Sequence, residues 1–216
     1  MLVHLVDCEV HRERVADALV WSSLLNDAEV ARAGEFRFRA DSDRFTAARG
    51  LARRLVGEHL QRDAKTLAFC EGPHGKPAIV DADDWRFNVS HSGDWVLVAI
   101  ARGREVGVDV ELVQPDLEIM DIAPSVFTSS ELNALGCLPV EHRRAAFYRL
   151  WARKEAVLKA WGTGFSLEAT RVDIGFAEPG APLVVRVPGF PPVKVADVAV
   201  DERHAGAVAV VADVRE

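Results

Sequence analysis

Residues 95–112, Trp-Val-Leu-Val-Ala-Ile-Ala-Arg-Gly-Arg-Glu-Val-Gly-Val-Asp-Val-Glu-Leu, decide how this chain is read. Residues 95–101 form an apolar run that fits a strand buried on both faces. Arg102-Gly103-Arg104 follows as a tight reversal. From Val106 the pattern alternates through residue 113, with Val106, Val108, Val110 and Leu112 on one face and Asp109 and Glu111 on the other. The expectation is a hairpin that displays two carboxylates side by side. Residues two apart in a strand lie ~7 Å apart, so both carboxylates can reach one hard cation. Asp-x-Glu is a weak motif by itself, and an ordinary half-exposed strand with two solvated acids has the same pattern.

Toward the N-terminus, residues 2–8 alternate weakly as a first strand and residues 12–25 read as an amphipathic helix. A basic passage over residues 32–54 holds Arg32, Arg37, Arg39, Arg44, Arg49, Arg53 and Arg54. Asp41 can cap a helix there, because Phe45, Ala48, Ala52, Leu55 and Val56 recur at helical spacing. Its arginines suit either a solvated face or an anion-binding one, since guanidinium groups grip phosphate bidentately. Residues 71–77 (Glu-Gly-Pro-His-Gly-Lys-Pro) are a loop by composition, and Phe87-Asn88-Val89 is a strand leading into a polar turn over residues 90–94. Gly-Lys-Pro lacks the spacing of a Walker loop, and no Gly-x-Ser-x-Gly elbow surrounds Ser90 or Ser92 beside His91.

Toward the C-terminus, residues 114–130 read as an irregular linker or mobile loop with Pro115 and Pro124. Thr128 or Ser129 can cap a short helix containing Glu131. A long helix runs over residues 141–161, and strands are expected at residues 171–176, 183–187, 193–200 and 204–211. His204-Ala205-Gly206 faintly echoes His91-Ser92-Gly93, a hint of internal duplication. On the long helix, Phe147, Leu150, Trp151, Leu158 and Trp161 form an apolar stripe with Lys154 in its middle. An ammonium there must snorkel or meet an anion. Glu155 and Lys159, one turn apart, make either a plain i,i+4 pair or part of a cleft for a cation and phosphates.

Whole-chain properties bound the function. The 216 residues are 49% apolar and 27% charged, which suits a globular protein. A net charge of −7 argues against nucleic-acid binding through a basic surface, so any anionic ligand is held by locally gathered Lys and Arg. No apolar run approaches a membrane span, and the first residues carry no basic, cleavable leader pattern. Cys8, Cys70 and Cys137 are scattered, which argues against a disulfide framework or structural zinc site. The expectation is a cytoplasmic protein that binds neither nucleic acid nor membrane.

Taken in order, these stretches resemble the Sfp-type 4'-phosphopantetheinyl transferases. The resemblance covers about residues 36–166: Arg44 with its following helix, Gly75-Lys76-Pro77, Phe87-Asn88-Val89-Ser90-His91-Ser92-Gly93, Gly107-Val108-Asp109-Val110-Glu111, and Trp151-Ala152-Arg153-Lys154-Glu155-Ala156-Val157-Leu158-Lys159. It implies an α+β fold of two pseudo-symmetric halves with small antiparallel sheets and packed helices, 1–104 for the nucleotide and 105–216 for the metal site. It further implies transfer of phosphopantetheine from coenzyme A to a serine of an apo carrier protein, releasing 3',5'-ADP, in a monomer. Carried over by position, Asp109, Glu111 and Glu155 hold magnesium or manganese. Arg44, Arg53, Lys76, Ser90, His91, Lys154 and Lys159 bind coenzyme A, with Glu155 and Lys159 catalytic and Glu131 near the metal. Fatty-acid, polyketide and nonribosomal-peptide carriers all remain open. Leu117, Ile119, Met120, Ile122 and Phe127 either form a patch for the carrier or tuck into the core. A metal-dependent hydrolase of coenzyme A or another diphosphate and a catalytically silent carrier-binding module are the rival readings.

Overall fold

The apolar run at residues 95–101 is buried on both sides because each face meets a different layer. In the computed structural model, which describes residues 8–82, 84–176 and 181–212, it lies within strand β5 (Trp95–Arg102), the centre of a three-stranded antiparallel sheet. Its neighbours are β1 (Cys8–Arg14) and β4 (Trp85–Ser92). Val96, Val98 and Ile100 face Leu51, Leu55 and Val56 of a 22-residue helix. Leu97, Ala99 and Ala101 face Val106, Val108, Val208 and Val210 of a second sheet. Period-2 alternation thus serves two cores from one strand.

Between β1 and β4 lie helices α1 (Ala18–Ser22), α2 (Asp27–Gly34) and α3 (Arg39–Leu60), then a small hairpin of β2 (Phe69–Glu71) and β3 (Pro77–Ile79). The helix expected over residues 12–25 is therefore shortened: residues 12–14 belong to β1, residues 15–17 form a 3-10 turn and α1 covers Ala18–Ser22. Pairing of Cys8 through Arg14 with β5 keeps this stretch extended, and tertiary pairing outweighs a weak helical pattern. The expected strand at residues 2–8 lies, except for Cys8, outside the described residues. Helix α2 has a capping box of Asn26 and Glu29, unread in the sequence. Helix α3 starts at Arg39, with Asp41 inside its first turn rather than at the cap.

No hairpin joins residues 95–102 to 106–112. Both edges of β5 are taken by β1 and β4, so residues 103–105 carry the chain across to the second sheet, with Gly103 at φ 69°. There β6 (Val106–Leu112) pairs with β9 (His204–Val211), followed outward by β8 (Val193–Val198) and β7 (Leu183–Val185). Helices α4 (Ile119–Val126), α5 (Ser129–Cys137) and α6 (Val140–Trp161) lie between β6 and β7 in sequence. Helix α4 occupies part of the expected linker. Residues 172–176 form no strand; Val172 and Ile174 are buried beneath α6 without a ladder.

The element order therefore repeats: a strand, two short helices, a 22-residue helix, and a closing pair of antiparallel strands. In both sheets the first strand pairs with the last and the last with the one before it. The His204 echo does not follow this correspondence, because His91 lies on β4, whose counterpart is β8.

The sheets are stitched where β4 meets β6. The backbone amides of Val108, Val110 and Leu112 donate to Asn88 Oδ1 (3.0 Å), Ser90 Oγ (3.4 Å) and Ser92 Oγ (3.0 Å). Residues 88, 90 and 92 share one face of β4, so their side chains replace a backbone ladder. The expected polar turn shrinks to Gly93-Asp94, and His91 points to the opposite, exposed side. Among the described residues no helix is long and apolar enough to cross a membrane.

Candidate active site

Gly107 sets the distance between α6 and β6. A Cβ at that position would lie 2.1 Å from the Ala156 carbonyl oxygen and 2.4 Å from the Ala160 nitrogen. Only glycine admits this approach, and it brings Glu155 and Lys159 of α6 against the carboxylate face of β6. Lys159 Nζ lies 2.6 Å from Asp109 Oδ1 and 3.1 Å from Ser90 Oγ, and it also donates to the Val108 carbonyl at 3.3 Å. Ser90 donates to the same Asp109 oxygen at 2.9 Å.

Three carboxylates share the field at this point. Asp109 is almost fully buried, and loss of hydration pushes its carboxyl upward against the pull of Lys159. Burial and the Asp109 charge raise Glu155 as well. Glu111 is pushed up to about 7 by burial, then by Asp109 and Glu155, while Lys159 and Ser92 work in the opposite direction. Among the described residues Asp109 Oδ2 is buried without a hydrogen-bond partner. Among the described residues no three His, Cys, Asp or Glu side chains are gathered into a set that holds an ion unaided. Asp109, Glu111 and Glu155 are coupled through their charges without forming a closed coordination shell. An orphaned buried carboxylate oxygen beside two further carboxylates, all hard oxygen donors, still fits magnesium, whose shell is completed by water and substrate phosphate.

Glu155 and Lys159 line one side of a cleft of about 750 Å³, with Lys76 and His74 facing them from the β2–β3 loop. Lys76 donates to Glu105 (2.6 Å) and to the Ala160 carbonyl (3.1 Å), and burial lowers its pKa ahead of the opposing effect of Glu105. The rest of the lining is less polar: Val89, Val126, Leu158, Leu167 and Ala169 contribute to it. His74, Asn88 and Thr170 reach the cleft without being singled out in the sequence. His74 sits at φ 62° and closely abuts Gly164, where a Cβ would fall 2.8 Å from its own. The left-handed backbone at both positions is a three-dimensional signal that no spacing rule displays.

Arg44 and His91 lie on the far side of β4 from this carboxylate cluster. Arg44 pairs with Asp41 at 2.5 Å, and His91 is lowered by partial loss of hydration and by the positive charges of Arg44 and Lys159. Phe45, Arg49, Val89 and His91 line a smaller hollow of about 170 Å³ there.

Three expected site residues, Arg53, Lys154 and Glu131, are placed elsewhere, and Ser90 lies inside the carboxylate cluster. Arg53 is fully buried, held by Glu29 at 2.5 Å and by the carbonyls of Ala64 (2.6 Å) and Leu67 (3.0 Å). Lys154 is buried against Glu131 at 2.7 Å, so neither stands at the cleft or beside the three carboxylates. Ser90 is buried in the seam, where it holds Asp109 and Lys159 rather than opening to a nucleotide. In the apolar segment after Pro115, Ile119 and Phe127 enter the core, Leu117 and Ile122 are half-buried, and Met120 is exposed.

A family model described as the 4'-phosphopantetheinyl transferase superfamily matches residues 105–209, and one described as 4'-phosphopantetheinyl transferase, N-terminal, matches residues 14–102. HetI of Nostoc sp., a 4'-phosphopantetheinyl transferase, is 34% identical over 162 residues, 73% of this chain and 68% of its own length. The 4'-phosphopantetheinyl transferase psf-1 of Bacillus pumilus is 34% identical over 151 residues, 69% of this chain and 63% of its own. Sfp of Bacillus subtilis, with the same description, is 30% identical over 145 residues, 67% of this chain and 63% of its own. The matched stretch thus covers about two thirds or less of these relatives.

Proposed function

The chain belongs to the 4'-phosphopantetheinyl transferase family, and from that premise we propose that it moves the 4'-phosphopantetheine of coenzyme A onto a serine of an apo carrier protein, releasing 3',5'-ADP. One observation carries the proposal: β6 and α6 bring Asp109, Glu111, Glu155 and Lys159 into one charged cluster, and Glu155 and Lys159 of that cluster line a cleft that Lys76 faces. Arg44 and His91 meet the 3'-phosphate beyond β4, and Lys76 and Lys159 meet the diphosphate. The less polar lining takes the pantetheine arm. Residues 1–104 thus serve the nucleotide, and residues 105–216 the reacting phosphate.

Asp109, Glu111 and Glu155 are the residues that would hold magnesium or manganese. When bound, such an ion supplies positive charge against the diphosphate and its leaving oxygen. Glu155 takes the proton of the carrier serine, since it is the carboxylate of the cluster that lines the cleft. The serine oxygen bonds to the phosphorus that carries the pantetheine arm, and the bond from that phosphorus to the bridging diphosphate oxygen breaks. Lys159 and Lys76 stabilise the negative charge left on 3',5'-ADP. The same reading makes the chain a monomer of the cytoplasm, a compartment suited to the exposed free thiols of Cys70 and Cys137. Met120 is the one exposed member of the segment considered for the carrier.

The test is incubation with coenzyme A, magnesium and a panel of apo carriers, followed by intact mass. The expected result is one phosphopantetheine adduct on a carrier serine, reduced by about 10²- to 10⁴-fold in Glu155→Gln. Cleavage of coenzyme A at the wild-type rate without any carrier supports the hydrolase reading. No adduct on any carrier, or an undiminished rate in Glu155→Gln, overturns the proposal.

A further inference from the structure

Lys154 immediately precedes Glu155 yet points away from the cleft. An ammonium has three donors, and here all three are used: Glu131 Oε2 at 2.7 Å, the Val172 carbonyl at 2.7 Å and the Ala169 carbonyl at 2.8 Å. Both side chains of the ion pair are at most 2% exposed. Glu131 is equally committed. Its Oε2 accepts the Thr128 amide at 2.8 Å, and its Oε1 accepts the amides of Ile174 (2.9 Å) and Gly175 (3.4 Å). The pair therefore ties α5 and α6 to residues 169–175, a segment with no ladder of its own. The segment it ties is a boundary of the active site. Leu167, Glu168, Ala169 and Thr170 line the cleft, and the Ala169 carbonyl is one of the groups Lys154 holds.

We infer that Lys154 and Glu131 are positioning residues that fix the cleft wall at residues 167–170, so that the pantetheine arm of coenzyme A meets a preformed surface; this rests on the transferase reading. A buried pair is weak as a source of stability, because desolvation offsets the Coulombic gain, but it holds a particular geometry strongly once its remaining donors and acceptors are satisfied. Residues 169–175 lack sheet partners, so removing the pair releases the wall before it releases the fold.

The test compares wild type with Lys154→Met and with the double variant Lys154→Met/Glu131→Gln, which leaves no unpaired buried charge if the single variant fails to fold. Calorimetry measures binding of coenzyme A and of 3',5'-ADP, which lacks the pantetheine arm. Coenzyme A is expected to weaken roughly tenfold and 3',5'-ADP to change less than about twofold, the scale for a residue acting through groups it holds. Amide exchange over residues 167–175 is expected to quicken about tenfold while that of β5 stays protected. Equal weakening of both ligands, unchanged coenzyme A affinity, or faster exchange throughout the chain overturns the inference alone. Wild-type protein that binds neither ligand overturns the transferase reading, and this inference falls with it.

Discussion

Helices α3 and α6 are each 22 residues long, each packs on one antiparallel sheet, and each is rich in cations, yet only α6 adds a carboxylate and a lysine to a buried acidic pair on a strand. The difference lies in where close approach is permitted. On α3 the tightest glycine is Gly50, against which Trp21 of α1 packs at 2.5 Å from the position of a Cβ. That contact joins helix to helix and leaves the arginines to pair with nearby acids: Arg44 with Asp41, and Arg49 and Arg53 with Glu29. In the second region the tight glycine is Gly107, on the strand, and what it admits is α6 itself. Polar side chains of the helix then meet polar side chains of the strand, and the carboxylates that result are under-neutralised. The same architecture yields an ion-paired face in one region and an excess of carboxylates over cations in the other.

Gly107→Ala is the sharpest way to break that contrast. The new methyl would overlap backbone atoms of α6, which have no flexible end to yield. The expected loss is about 3 kcal/mol, at the upper end for overpacking, with phosphopantetheine transfer abolished because α6 is displaced from Asp109. Urea denaturation and the mass assay check it. Gly136→Ala on α5, where no atom of the described residues beyond its own helix lies within 4 Å of the added carbon, is the control and is expected to be neutral to slightly stabilising. Equal behaviour of the two variants would remove the basis of the comparison.

Part of this contrast was visible in the letters and part was not. The alternation of Val106, Val108 and Val110 against Asp109 and Glu111 is a local property of a strand, and so is the misplaced charge of Lys154 on an apolar helix stripe. Their partners are not local. Residues 95–112 look like a hairpin, because an apolar strand, a glycine reversal and an alternating strand carry the same pattern whether they pair or part. That β1 returns to fill the free edge of β5 is a long-range fact. Arg53 and Lys154 were legible as cations in helices beside candidate ligand residues, but a phosphate and a buried Glu suit a cation equally well. Glu29 and Glu131 lie far away in sequence, so only the fold decides between them.

The two ends of α3 sharpen the comparison next. Arg53 is enclosed, whereas Arg44 is half-buried with its guanidinium near His91. Arg53→Met leaves the Ala64 and Leu67 carbonyls without this donor and Glu29 with only Arg49 and the Asn26 amide, and about 3 kcal/mol of stability is expected to go with it, with coenzyme A affinity unchanged in the folded fraction. Arg44→Ala is expected to alter stability by less than about 0.5 kcal/mol, as for surface pairs. It is expected to weaken coenzyme A about tenfold, the scale of one charge-assisted contact. Thermal melts together with calorimetric titration separate the two. A reversal, with affinity lost in the first and stability in the second, would mean that α3 presents its cations the other way round.

The smallest expected effect concerns a point where the two regions are joined without sharing chemistry. Asp201, just before β9, accepts from Trp95 Nε1 at 2.8 Å across the boundary and contacts His204 Nδ1 at 2.7 Å within its own region. Burial works against its charge. Hydrogen bonds from His204, Trp95 and the Arg203 amide outweigh it and hold the carboxyl well below the usual carboxylate range. A depressed acid contributes stability that is present above its unfolded value, near pH 4, and lost as pH falls through the folded one. The advantage of wild type over Asp201→Asn is therefore expected at pH 7 and to shrink steadily below about pH 4. Coenzyme A affinity is expected to be the same in both proteins at neutral pH. Denaturation curves at several pH values test this. An advantage that stays constant through acid would show that the contact with Trp95 acts through packing, and that the charge of Asp201 does not help to join the sheets.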